Sequence, residues 1–179
     1  DYGGMPGWMA VLAVALLASY LGLYAALTTV LASWLQQRRR TSPAVLALLV
    51  LPALWVLSEW VRGWLFTGFP WLTSGYAHSV GPLKGFAPLI GVYGLAWVAA
   101  IIAGCLALLS LRTAARILPA ALTLVLATAG VVLHMVTWTH ASGRPITVRL
   151  LQGNIPQEIK FSNEALLSSL MMYDDMIRS

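Results

Sequence analysis

A bundle of four membrane-spanning α-helices, followed by the start of a water-exposed α/β domain, is the fold class this sequence predicts. Three observations predict it. Apolar residues make up 59% of the chain and charged residues only 9%, where soluble domains carry about 25% charged residues. The acidic residues are unevenly placed: Glu59 is the only one between Tyr2 and Arg144, whereas Glu158, Glu164, Asp174 and Asp175 crowd the C-terminal end. Finally, long apolar runs give way to mixed polarity near residue 143. The division expected is a membrane domain over 1–143 and a second, incomplete domain over 144–179.

The spans come first. Four stretches, at about 7–33, 44–65, 89–111 and 115–137, are long enough to cross about 30 Å of hydrocarbon, which takes roughly 20 residues. Trp8 and Trp34 mark the ends of the first as an aromatic belt does. Pro52 lies within the second and predicts a kink that neighbouring helices tolerate in lipid. In the third, Ala96, Ala100 and Gly104 recur at four-residue spacing, a small-residue face for close helix packing.

Arginines give the orientation. Arg38, Arg39 and Arg40 follow the first span, and Arg112 and Arg116 separate the third from the fourth. Both connections lie on one membrane face, which the positive-inside rule makes cytoplasmic. The long connection 66–88 and the residues after about 138 are therefore expected outside. The net charge of +5 reflects this topology. It does not form the basic, aromatic-interleaved surface that would imply a nucleic-acid partner.

Residues 58–76 read SEWVRGWLFTGFPWLTSGY, too apolar for an ordinary connection, which would be polar. Trp60, Trp64, Phe66, Phe69, Trp71 and Tyr76 favour the headgroup level, while Gly63, Gly68, Pro70 and Gly75 interrupt a continued helix. An irregular interfacial segment over 66–88, suited to contact a lipid, is the expectation. Glu59 and Arg62 are three apart and share a helix face. They are expected to pair with each other near the water boundary, and the planar guanidinium also suits a phosphate or ester oxygen of a bound lipid; the two readings are not exclusive. Lys84 reads as a snorkelling side chain.

Past His140, the β-branched run 145–151, PITVRLL, predicts a strand. A Gly/Asn/Pro turn follows. From about 163 a helix is predicted, with Leu166, Leu170, Tyr173 and Ile177 at helical spacing. The chain opens at Asp1 without an initiator Met, a basic n-region or a cleavage motif, and it is expected to be a piece of a longer protein.

Two blocks of sequence make a family resemblance specific. EWVRGWLFTGFPWLTSGYAHSVGPLKGFAPLIGVYG, followed some way later by LLQGNIPQEIKF, resembles the apolipoprotein N-acyltransferases, and the opening DYGGMP is similar to the loop that precedes a span in that family. The resemblance covers essentially the whole chain. It implies a multi-pass protein of the bacterial inner membrane carrying a periplasmic nitrilase-like α-β-β-α sandwich, of which 144–179 would be the beginning. The implied reaction is ping-pong: a Cys thiolate, helped by a Glu base and a Lys, takes an acyl chain from a membrane phospholipid as a thioester. The amino group of the diacylglyceryl-cysteine of an apolipoprotein then accepts it. Phospholipid, diacylated apolipoprotein and the bilayer are the implied partners, with no cofactor.

The family's catalytic Glu, Lys and Cys are expected beyond Ser179, so none is assigned here. On the substrate side, the resemblance carries over to Arg62, Phe69 and Trp71 in the FTGFPWL region and to Gln157 and Phe161 in the turn after the predicted strand. At Phe161 family members often have Trp, so only the aromatic character is kept. Cys105 lies inside IIAGCLALL with no His, Lys or carboxylate nearby, and a thiol in apolar surroundings is inert. Glu158 follows the predicted strand too closely to be the family's catalytic Glu. His78, His134 and His140 show no ligand spacing, so no metal site is predicted.

Three other readings stay open at this level. One is a nitrilase-type acyltransferase with a different amine acceptor. Another is a transporter segment, against which stands the scarcity of ionisable residues near the midplane. The last is a plain membrane anchor, which has no need of the aromatic segment.

Overall fold

The computed structural model describes residues 5–111, 116–156 and 162–178. Among these the chain is helical, and four helices are long and apolar enough to cross a membrane: α1 (Gly7–Arg39), α2 (Pro43–Arg62), α3 (Ala87–Ser110, with a lead-in from Pro82) and α4 (Ile117–His134). A fifth helix, α5, spans Asn163–Arg178. Contacts divide the chain into two units, 18–140 and a second made of 1–17 with 141–179.

Helix α1, which belongs to the larger unit from residue 18 on, is nearly featureless in apolarity, so nothing in its sequence turns one face inward; only Thr28 and Ala32 are buried. Its 33 residues extend about 50 Å at 1.5 Å per residue, well beyond the hydrocarbon thickness. Arg38 and Arg39 close its last turn, where cations complement the helix dipole. The Arg38 guanidinium also lies 5.4 Å from the centre of the Trp34 ring. Helix α2 starts at a Ser42 cap, whose hydroxyl accepts from the Val45 N–H at 3.3 Å, with Pro43 in the first turn. The disturbance expected at Pro52 takes the form of a π turn over Leu46–Val50, just before it. Proline cannot donate to the ladder and crowds the carbonyl four residues back; a wider turn relieves both.

The small-residue face of α3 packs as expected. Ala96 is fully buried, and a methyl group on Gly104 would strike the Ala47 carbonyl in the π turn of α2. Leu83, Leu95 and Val98 form the buried centre, with Phe86, Ile102 and Leu126 packed around them. Cys105 is wholly buried.

Some boundaries move. Helix α1 runs on to Arg39 rather than 33 and α2 stops at Arg62 rather than 65, and the expected irregular stretch becomes a chain of 3₁₀ turns: Leu65–Thr67, Pro70–Leu72, Ser74–His78 and Pro82–Phe86. Pro or Gly recurs every few residues there, long enough to close one turn and too short to propagate an α-helix.

In the smaller unit the predicted strand 145–151 is not formed, and no strand occurs among the described residues. A strand needs a neighbour to take its N–H and C=O groups, and no described segment supplies one. Instead the residues before α5 are tied to that helix: Arg149 Nη1 donates to the Met176 carbonyl at 3.2 Å, and the Gly153 N–H donates to the Tyr173 hydroxyl at 3.2 Å. Helix α5 itself appears where predicted. Leu166, Leu170 and Ile177 are exposed on it, while Asp174 and Arg178 pair at 2.9 Å.

Candidate functional site

The features that carry chemistry gather where α2 ends. Glu59 is 1% exposed and Arg62 is 8% exposed, so both ionisable side chains of the aromatic region are buried. They do not pair. The one ion pair among the described residues is that of Asp174 and Arg178. Glu59 Oε1 instead accepts the Ser74 backbone N–H at 2.8 Å. Its other oxygen, Oε2, is buried without a hydrogen-bond partner, as are Arg62 Nε and Nη2. Those two nitrogens form one edge of the guanidinium, the edge that offers two parallel N–H donors to a carboxylate or phosphate. Leaving such donors buried and unpaired is costly, so this edge is the least satisfied feature of the larger unit.

The segment after Arg62 folds back on it. The Phe69 N–H donates to the Arg62 carbonyl at 2.8 Å, which is possible because Gly68 takes a φ of 86°, a conformation open to glycine at no steric cost. This turn sets Phe69 against Trp71, ring centres 5.3 Å apart. Trp71 remains 73% exposed and Phe66 79% exposed. Further along, Gly75 sits so close to the Val92 carbonyl that no side chain would fit, which docks the segment on α3.

A groove of about 390 Å³ runs between α1 and α2 beside this corner. Its walls are aliphatic, with Leu27 and Leu31 on α1 and Leu54, Leu57 and Val61 on α2. Phe66 stands at one end. At that end Tyr20 and Tyr24 share a hydrogen bond, 2.6 Å between hydroxyl oxygens, and the Tyr20 ring lies 6.1 Å from Phe66. Sequence reasoning missed this pair. The available signal was two phenols four residues apart in an otherwise aliphatic run, one helical turn that brings them together.

Arg62, Phe69 and Trp71 are thus brought to one corner. Gln157 and Phe161, the other two substrate-side candidates, lie outside the described residues, as does Glu158. Lys84 is half-buried in the turn that leads into α3. The corner brings together two unpaired donors, aromatic rings and an apolar groove. That set can hold an amphiphile with an oxyanion or ester at one end.

The comparisons with known proteins agree with the resemblance. The family model described as apolipoprotein N-acyltransferase N-terminal domain matches residues 1–105. The apolipoprotein N-acyltransferase of Ralstonia nicotianae is 49% identical over 180 residues, covering 98% of this chain and 33% of that protein. That of Methylococcus capsulatus is 44% identical over 183 residues, covering 99% and 35%, and that of Chromobacterium violaceum 43% over 175 residues, covering 97% and 33%. The chain spans about a third of the length of these relatives.

Proposed function

Since the chain belongs to the apolipoprotein N-acyltransferase family, we propose that its protein transfers a fatty acyl chain from a membrane phospholipid to an apolipoprotein. The residues at the end of α2 hold the donor lipid in this reading. The observation that carries it is the buried, unpaired Nε–Nη2 edge of Arg62, next to an apolar groove.

The geometry suits a phospholipid. With Arg38–Arg40 cytoplasmic, Tyr20 lies about 27 Å along α1 from Arg38 at 1.5 Å per residue, on the outer-leaflet side of the bilayer. The Tyr pair, Phe66 and Arg62 then stand on the side where outer-leaflet lipids lie. From there the groove follows α1 to Leu31, about 16 Å, which matches one leaflet. Arg62 takes phosphate or ester oxygens, Trp71 and Phe69 cover the glycerol region, and the groove receives an acyl chain.

The chemistry follows the family. A thiolate on a Cys beyond Ser179 attacks the lipid's ester carbonyl; the ester C–O bond breaks and a lysophospholipid leaves. The amino group of the diacylglyceryl-cysteine then attacks the thioester, an amide forms and the thiolate departs. Two easier transfers replace one hard one. Residues 144–179 begin the periplasmic nitrilase-like domain in this reading, and the run 145–151 becomes a strand when the rest of the sheet is there to pair with it. Gln157 and Phe161 belong to the substrate side in this reading, on the family resemblance alone.

The test is acyl transfer by the full-length protein to a diacylated lipopeptide, with phospholipid as the only donor, together with mass-spectrometric capture of the thioester. Transfer without a thioester, or none from phospholipid, would refute the proposal.

A further inference from the structure

We propose that Glu59 is a positioning residue, whose carboxylate is committed to the backbone at Ser74 and thereby both fixes the aromatic segment and leaves Arg62 unpaired for its ligand. The second half rests on the lipid reading above; the first does not.

A carboxylate that is 1% exposed needs a partner, because burying a charge is costly unless it is paired or hydrogen-bonded. The obvious partner is Arg62, one turn along the same face. The structure takes another solution. Ser74 opens the 3₁₀ turn Ser74–His78, so its N–H has no partner within that turn; Glu59 Oε1 accepts it at 2.8 Å. One turn earlier on α2, Trp55 Nε1 donates to Ser74 Oγ at 3.4 Å. Two residues of one helix therefore hold one residue of the segment. The Glu59–Ser74 bond closes a stretch of fifteen residues, and the Phe69–Arg62 backbone bond closes a smaller loop inside it. Trp71 lies between the two ties, so a shift at Ser74 moves it. With Oε1 engaged, the carboxylate adds negative potential near the guanidinium without occupying its donors.

The test uses the full-length enzyme in its membrane, with Leu72→Cys in a Cys105→Ala background as a reporter, since Leu72 is 58% exposed. Labelling by an impermeant maleimide is read relative to the same protein without Leu72→Cys, alongside KM for phospholipid and kcat with a short-chain ester. Glu59→Gln keeps an oxygen for the Ser74 N–H, so labelling stays at the parent rate and the phospholipid KM within about threefold. Glu59→Ala loses the acceptor; labelling rises several-fold and the phospholipid KM rises about tenfold, with short-ester kcat unchanged.

Ser74→Pro provides a second route should Glu59→Ala fail to fold. It deletes the N–H, together with the hydroxyl that Trp55 reaches, while Glu59 stays; proline is accepted at the first position of a helical turn, and Thr73 already has the extended ψ of 121° required before proline. It should loosen the segment at least as much as Glu59→Ala. Unchanged labelling in both Glu59→Ala and Ser74→Pro overturns the proposal. So does a Glu59→Gln variant as loose as Glu59→Ala, because charge pairing would then be what matters. If the segment loosens while phospholipid use is unaffected, the tether stands and the lipid role of this corner falls.

Discussion

Arg62 is where the lipid reading is most exposed to refutation. Its Nε and Nη2 are buried without partners, so a lipid oxyanion would gain hydrogen bonds that nothing in the protein competes for. Losing a charge-assisted hydrogen bond costs about 1.5–3 kcal/mol, or roughly ten- to a hundredfold in lipid use. Arg62→Gln should show that loss in thioester formation from a native phospholipid. Arg62→Lys keeps the charge but not the planar fork, and should recover only part of it. The same variants assayed with a short, water-soluble acyl ester should lose less, because that donor offers the guanidinium an ester but no phosphate. Trp71→Ala should weaken handling of long acyl chains more than short ones. Trp71 is 73% exposed, so its truncation should change fold stability by no more than about 0.5 kcal/mol. If all three variants form the thioester normally with both donors, this corner does not bind the acyl donor. It would then serve the incoming lipoprotein or only helix packing.

Three further outcomes are expected. With single cysteines at Thr41 and Ser79 in a Cys105→Ala background, an impermeant maleimide applied to intact spheroplasts should label the Ser79 site and not the Thr41 site; the reverse overturns the topology. Cys105→Ala in the full-length enzyme should leave acyl transfer within a few-fold of wild type, since its thiol is wholly buried inside α3, out of reach of an acyl donor; complete loss at normal membrane levels would refute this. Gly104→Ala should destabilise the larger unit by about 1–3 kcal/mol through overpacking against the Ala47 carbonyl, and an unchanged thermal midpoint in detergent would show that the α2–α3 contact gives way.

Much of the fold was legible because apolar length is a one-dimensional signal. The spans at about 7–33, 44–65, 89–111 and 115–137 correspond to the four helices, and Gly104 packs as its spacing suggests. The exceptions have physical reasons. Residues 145–151 carry strand propensity, but propensity describes one chain while pairing needs two. At Pro52 the sequence announces a disturbance without saying that a π turn will absorb it, since the choice depends on what packs alongside.

The site was legible as a set of residues and illegible as a set of bonds. The spacing of Glu59 and Arg62 fixes that they share a face, and on an isolated helix that would favour a pair. What decides otherwise is Ser74, fifteen residues away, whose N–H is orphaned only because proline and glycine break the segment into short turns. Its approach to α2 depends in turn on Gly75 lying flat against the Val92 carbonyl. A small residue on the loop therefore sets where a backbone donor arrives. That donor takes the carboxylate, and an arginine the sequence offers as half of an ion pair is left with a buried, unpaired edge.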